Sequence, residues 1–106
     1  MEEILHYVWK YKLYPTSNLT TTEGIPIHVI DPGIHNMNSG PDFFNAKIRI
    51  SGTVWAGCIE IHTKASDWYR HKHDEDPAYD SVILHVVQES DQLICRSNGE
   101  LLPQAI

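Results

Sequence analysis

The stretch from Asp42 to Thr63 constrains the fold most. Phe44, Ala46, Ile48 and Ile50 alternate with Asn45, Lys47, Arg49 and Ser51, the period of two of a strand with one buried face. Ser51-Gly52 turns the chain, and Thr53 to Thr63 returns with Val54, Trp55, Ile59 and Ile61 and few polar interruptions, which suits a central strand covered on both faces. If the loop is the three-residue kind, Ile50-Ser51-Gly52, then Arg49 pairs with Thr53 and Asp42 lies opposite Glu60. Directly opposed residues have Cβ atoms about 4.5 to 5.5 Å apart. Two ionised acids there repel by roughly 3 kcal/mol at an effective dielectric of 20, so the pair calls for a divalent cation. His62, two residues beyond Glu60, projects from the same strand face and can reach metal, water or phosphate.

The flanking segments supply the remaining elements. Glu2 to Leu13 spaces Ile4, Leu5, Val8, Trp9 and Leu13 as a helix does, with acids at its start and Lys10 and Lys12 toward its end, and Pro15 stops it. A Thr/Ser/Asn-rich loop, Thr16 to Thr22, leads to a strand around Ile25 to Ile30, which Asp31-Pro32-Gly33 ends. Ser66 can cap a second helix that holds Asp67 in its first turn and runs toward Asp76, where Pro77 breaks it. Val82 to Val87 reads as a buried strand, and the long connection before it predicts a parallel pairing with the preceding strand. Leu93 to Arg96 and Leu101 to Ala105 form a final hairpin through Asn98-Gly99, a dipeptide that favours a type I′ turn.

A chain of 106 residues supports one hydrophobic core and so one domain, 1–106, and the apolar end at Ile106 reads as the N-terminal fragment of a longer protein. The start, Met1-Glu2-Glu3, is acidic where a secretory signal is basic, and no apolar run reaches the roughly 18 residues of a membrane span, so a cytoplasmic location is expected. A net charge of -6 with scattered bases excludes a non-specific nucleic-acid binder that works by charge alone. Cys58 and Cys95 lack CxxC partners and read as reduced, packed thiols. Trp55, Trp68, Tyr69 and Tyr79 read as packing anchors rather than base-stacking platforms.

The element order and the residues Gly40-Pro41-Asp42-Phe43, then a hairpin, then Ile59-Glu60-Ile61-His62, resemble the PD-(D/E)XK superfamily of metal-dependent nucleases. The resemblance implies an α/β (α+β) fold with a restriction-endonuclease-like αβββαβ core. That core is a mixed central sheet flanked by helices, here with an added C-terminal hairpin. It also implies a phosphodiesterase acting on DNA or RNA, with Asp42 and Glu60 as ligands of Mg²⁺ or Mn²⁺ and His62 acting on the attacking water. The first helix of such enzymes often adds a Glu, for which Glu2 and Glu3 are the candidates.

The superfamily usually has Lys where this chain has His62, a residue mostly neutral at pH 7. Lys64, farther along the same strand face, is the candidate stand-in, and the imidazole shifts the metal preference toward Mn²⁺, with Zn²⁺ less favoured. More closely, GPDFFNAKI, EIH, SDWYRHKH, AYD and VILHVV are similar to the N-terminal part of an uncharacterised bacterial family of several-hundred-residue proteins.

Seven histidines are an enrichment that itself hints at chemistry. Asp67 and His71, four apart on a helix, form a candidate supporting pair beside the site, whereas His71 and His73 cannot share a helix face. His85, inside VILHVV, reads first as a hydrogen-bonded core histidine and second as a supporting residue. Two other readings stay open. One is a non-catalytic nuclease-like scaffold used in recognition or assembly, with the downstream region of the same protein as a partner. The other is a zinc site built from His62, His71 or His73, and His85.

Overall fold

A computed structural model describes residues 2–11 and 19–106; Leu13, Pro15 and the first part of the Thr/Ser/Asn-rich run lie outside the described residues. Helix α1 (Glu2–Lys10) carries acids in its first turn and Lys10 in its last, as the helix dipole favours. It does not bury the whole expected stripe. Trp9 is buried and Leu5 half-buried, but Ile4 stays exposed, because the helix is rolled so that the Trp9 indole donates to the Pro32 carbonyl at 3.0 Å.

The strands are β1 (Ile27–Asp31), β2 (Ile34–His35), β3 (Phe43–Ile50), β4 (Thr53–Lys64), β5 (Val82–Glu89) and β6 (Gln104–Ala105). They form one mixed sheet in the order β1-β3-β4-β5-β6, with β2 also paired to β3. Pairings are antiparallel from β1 through β4 and parallel from β4 through β6, so the long β4–β5 connection gives the parallel pair that its length predicts. The class is mixed α+β.

The hairpin register is reached by a different route from the one expected. Ser51 and Gly52 have φ of 49° and 79°, a two-residue turn with both central residues left-handed, so Ile50 pairs with Thr53 and Arg49 with Val54. Continued unbroken, that register would set Asp42 opposite Ile61. A bulge between Phe43 and Ala46, where Asn45 has φ 58°, shifts it by one residue, so that Phe43 pairs with Ile59 and Asp42 comes level with Glu60. The same bulge inverts the alternation at the strand's start: Phe43 is fully buried, and Phe44, expected inside, is exposed.

Strand β4 is central, yet only its second half is enclosed, from Ile59 to His62. Its first residues are exposed, and Trp55 is half exposed rather than packed. Gly57 marks the change. A Cβ there would lie 2.5 Å from the Ser81 carbonyl oxygen, so only glycine lets the start of β5 come close enough for Cys58 N–H to bond that oxygen at 2.8 Å.

The second helix is much shorter than expected. α2 spans only Asp67–Arg70, and Lys72, with φ 59° and ψ 33°, reverses the chain into 3-10 turns at His73–Glu75 and Pro77–Tyr79. Ser66 does not cap it through its side chain. Its hydroxyl and N–H instead donate to the Asp91 carboxylate at 2.7 and 2.9 Å.

The final hairpin is reduced to a Cys95–Leu101 bridge, and Asn98 stays out of the left-handed region, so the turn is not type I′. The thiols of Cys58 and Cys95 are free, as expected, but Cys95 is exposed rather than packed.

Two apolar clusters sandwich the sheet. One holds Trp9, Phe43, Ile48, Ile59 and Ile61, and the other Ala65, Trp68, Val82, Val87, Ile94 and Leu102. By strand alternation Glu60 and His62 point away from Ile59 and Ile61, toward the Trp68 side. Among the described residues no helix is long and apolar enough to cross a membrane.

Candidate metal centre

Asp42 and Glu60 clasp each other's backbone. The Asp42 N–H donates to Glu60 Oε1 at 3.0 Å, and the Ile61 N–H donates to Asp42 Oδ2 at 2.8 Å. The like charges expected to require a cation between them are met separately, by histidines. His6 Nε2 from α1 stands 3.3 Å from Asp42 Oδ2, while Glu60 Oε2 has His62 Nε2 at 3.2 Å and His73 Nε2 at 2.9 Å. Burial alone would raise the Glu60 carboxyl pKa, but the imidazoles of His62 and His73 outweigh it and hold the group down to about 2, so Glu60 is a buried carboxylate. Asp42 raises the His6 pKa against the opposing effect of burial.

Around Glu60 the histidines form one cluster. His62, His71 and His73 each present a ligand atom within 4.8 Å of the other two. The expectation that His71 and His73 diverge assumed a continuous helix. The left-handed Lys72 breaks that helix and brings the exposed His71 ring beside the buried His73 ring, with centroids 5.5 Å apart. His73 is stacked on Tyr79 at 3.7 Å and edges on Trp68 at 5.3 Å. Its Nε2 is buried with no hydrogen bond aligned on it, although the Glu60 carboxylate is close. Burial raises the Tyr79 hydroxyl pKa, and the charges of Glu60 and Asp42 add to this, so the phenol stays protonated.

Beneath the cluster, His62 Nδ1 meets His85 Nε2 at 2.7 Å and His85 Nδ1 meets Gln104 Oε1 at 3.0 Å. Gln104 Nε2 in turn reaches Ser90 Oγ at 2.7 Å and the Gln92 carbonyl at 3.4 Å. His85 is completely enclosed; burial, and then the nearby His62, lower its pKa to about 4, so it is neutral at pH 7. This agrees with its reading as a hydrogen-bonded core histidine.

The other candidates fall away from the cluster. Asp67 pairs with Arg70 at 2.6 Å and accepts from the Lys64 N–H, and it meets His71 through the helix backbone bond at 2.9 Å. Lys64 is exposed at the end of β4. Sequence reasoning placed Glu60 and His62 side by side but gave His73 no role together with His71. The signal that could have found it is His-x-His just before a Pro-broken segment, where a reversal brings alternate residues to one side. A groove of about 640 Å³ at the hairpin-tip end, lined by Trp55, Ile83, Arg96 and Leu101 among others, contains none of these histidines.

A His triad of this kind could hold a divalent ion. Four ligands 2.0 to 2.1 Å from a tetrahedral zinc lie about 3.3 Å from one another. The two Glu60 contacts, 3.2 and 2.9 Å, are close to that spacing, and the group whose ligand atoms all lie within 4.8 Å of one another is His62, His71 and His73. Imidazole ligands as a class would favour Zn²⁺, Mn²⁺ or Fe²⁺ over Mg²⁺.

A protein family of unknown function, DUF2851, matches residues 2–106, almost the entire sequence. The chain belongs to the DUF2851 family. No curated protein and no solved structure matches it. The description of the DUF2851 family names no activity.

Proposed function

We propose that this DUF2851 domain is a metal-dependent phosphodiesterase whose metal ligands are Glu60, His62, His71 and His73. The observation that carries the reading is the buried Glu60 carboxylate, with two imidazole nitrogens within 3.2 Å and a third histidine beside them. A buried carboxylate held by several imidazoles is a site where a dication can take the place of the protons they share.

A divalent ion held there supplies Lewis acidity toward a phosphodiester and its attacking water. The chain's own groups do the rest. Glu60 and His62 are fixed on the enclosed half of β4, His73 is braced between Tyr79 and Trp68, and the exposed His71 forms the side open to substrate. Asp42, locked to the Ile61 N–H and beside His6, positions Glu60 through its own backbone N–H. The nuclease resemblance of the strand order and of Asp42, Glu60 and His62 supports nucleic acid as the substrate. The charge of -6 makes the ion, rather than a basic surface, the main attraction for phosphate.

Titration calorimetry with Zn²⁺ and Mn²⁺, followed by incubation of the metal-loaded protein with DNA and RNA, tests this. Stoichiometric binding that Glu60→Gln and His73→Ala abolish, with cleavage that both variants lose, is the expected result. Binding without cleavage of either polymer favours the scaffold reading, for which His62 in the usual Lys position is the specific observation.

A further inference from the structure

We infer that Gln104 is a positioning residue for the metal centre: through His85 it holds a His62 proton on Nδ1, so that His62 Nε2, on the Glu60 side, is the nitrogen a metal would take. This deepens the metal-centre reading and rests on it for its purpose, although the proton's location stands on the hydrogen-bond chain alone.

One atom in this chain has no choice of role. The Gln92 carbonyl oxygen can only accept, and it lies 3.4 Å from one end of the Gln104 amide, with Ser90 Oγ 2.7 Å from the same end. That end is therefore the amide NH₂, and the other end is the carbonyl Oε1, which can only accept. Its neighbour, His85 Nδ1 at 3.0 Å, must carry a hydrogen. His85 has no exposure, and no carboxylate touches it, so burial keeps the ring neutral, with a single N–H. Its Nε2 is then an acceptor, and the only proton that can lie in the 2.7 Å contact belongs to His62 Nδ1.

Each ring passes the constraint on. His62, itself 1% exposed, consequently turns Nε2 toward Glu60 Oε2 at 3.2 Å, the direction in which a metal ligand is needed. The chain runs from β6 through β5 to β4, so three adjacent parallel strands set one imidazole's tautomer. A metal-binding histidine whose second nitrogen is held by a partner is a recurrent arrangement, and losing the partner typically weakens metal binding about 10- to 100-fold. Here the partner is another histidine, which could accept or donate, and Gln104 removes the ambiguity.

Long-range ¹H–¹⁵N correlation spectra of the histidine rings, recorded on the ¹⁵N-labelled chain with chelator and then with one equivalent of Zn²⁺, read the tautomers directly. The expected result is a protonated His62 Nδ1 in both states and a His62 Nε2 that shifts when zinc is added. Gln104→Leu, which removes the acceptor, should release His62 into a mixture of tautomers and weaken zinc binding about 10- to 100-fold. His85→Gln keeps an acceptor toward His62 and should retain more affinity than His85→Leu.

A wild-type spectrum with the His62 proton on Nε2 and a bare Nδ1 overturns the inference, and it does so even if Gln104→Leu fails to fold. An unchanged tautomer and affinity in a folded Gln104→Leu also overturns it. If zinc does not bind at all while His62 Nδ1 is protonated, the metal-centre reading fails and the hydrogen-bond chain stands.

Discussion

Asp42 and Glu60 are level with each other across two strands, yet the structure treats them differently. Asp42 sits at the lip of the sheet, partly open to water, with one backbone N–H and one histidine from α1 as partners. Glu60 is enclosed, and two imidazoles crowd a single carboxylate oxygen. An acid at a lip can be balanced by whatever is near, because water screens the remainder. An enclosed acid has no such help, so its surroundings must be built around its charge, and a centre of function is expected there.

The sharpest way to break the comparison is to neutralise each acid in turn. Glu60→Gln should destabilise the chelated protein by about 3 kcal/mol in urea denaturation, the scale of breaking a buried charge network. Its pH signature follows from the depressed pKa. The stabilisation is present above the ordinary value of 4.5 and drains away as pH falls toward about 2, so the variant's stability should change less over that interval. Equal urea midpoints for wild type and variant would show that the network carries no stability.

Lys72→Val comes next. A β-branched side chain in the left-handed conformation of Lys72 is expected to cost about 1 to 3 kcal/mol and to separate His71 from His73, weakening zinc binding in calorimetry, whereas Lys72→Gly should keep both stability and affinity. Asp42→Asn retains an acceptor for the Ile61 N–H, so its expected cost is only about 1 kcal/mol, with little change in metal affinity. A large loss of affinity in Asp42→Asn would instead move the metal to the lip.

The smallest effect concerns His6. Its raised pKa means that its contribution is complete below 6.5 and is lost as pH rises through the folded value. An NMR titration should show the His6 midpoint above 6.5 in wild type and return it toward 6.5 in Asp42→Asn.

Much of the fold was legible because it follows from local pattern. The alternation in β3, the apolar run of β5 and the length of their connections give the antiparallel hairpin and the parallel pair. Features that depend on single backbone conformations were not legible. A three-residue loop would set Asp42 level with Glu60, but the molecule reaches the same offset through a two-residue turn and a bulge at Asn45. Nothing in Phe43-Phe44-Asn45 announces which phenylalanine turns inward.

At the site, Glu60 and His62 can be paired by strand alternation alone, and the zinc reading offers His71 or His73 as alternatives, but that both meet His62 depends on one left-handed lysine that a helical pattern conceals. Trp55 departs from the packing role expected of it for a related reason. Its strand is central in order, but the sheet's cover ends before reaching it.

The bulge at Asn45 also bears on how this hairpin can be edited. It lies between the tip and the acids, so loops of equal length can be exchanged at Ser51-Gly52 without disturbing the far end. Removing one residue between the bulge and Glu60 would instead carry every side chain beyond it to the opposite surface, exchanging the greasy layer for the imidazole-lined one. A length scan of that segment should therefore alternate between working and dead proteins with each residue taken out.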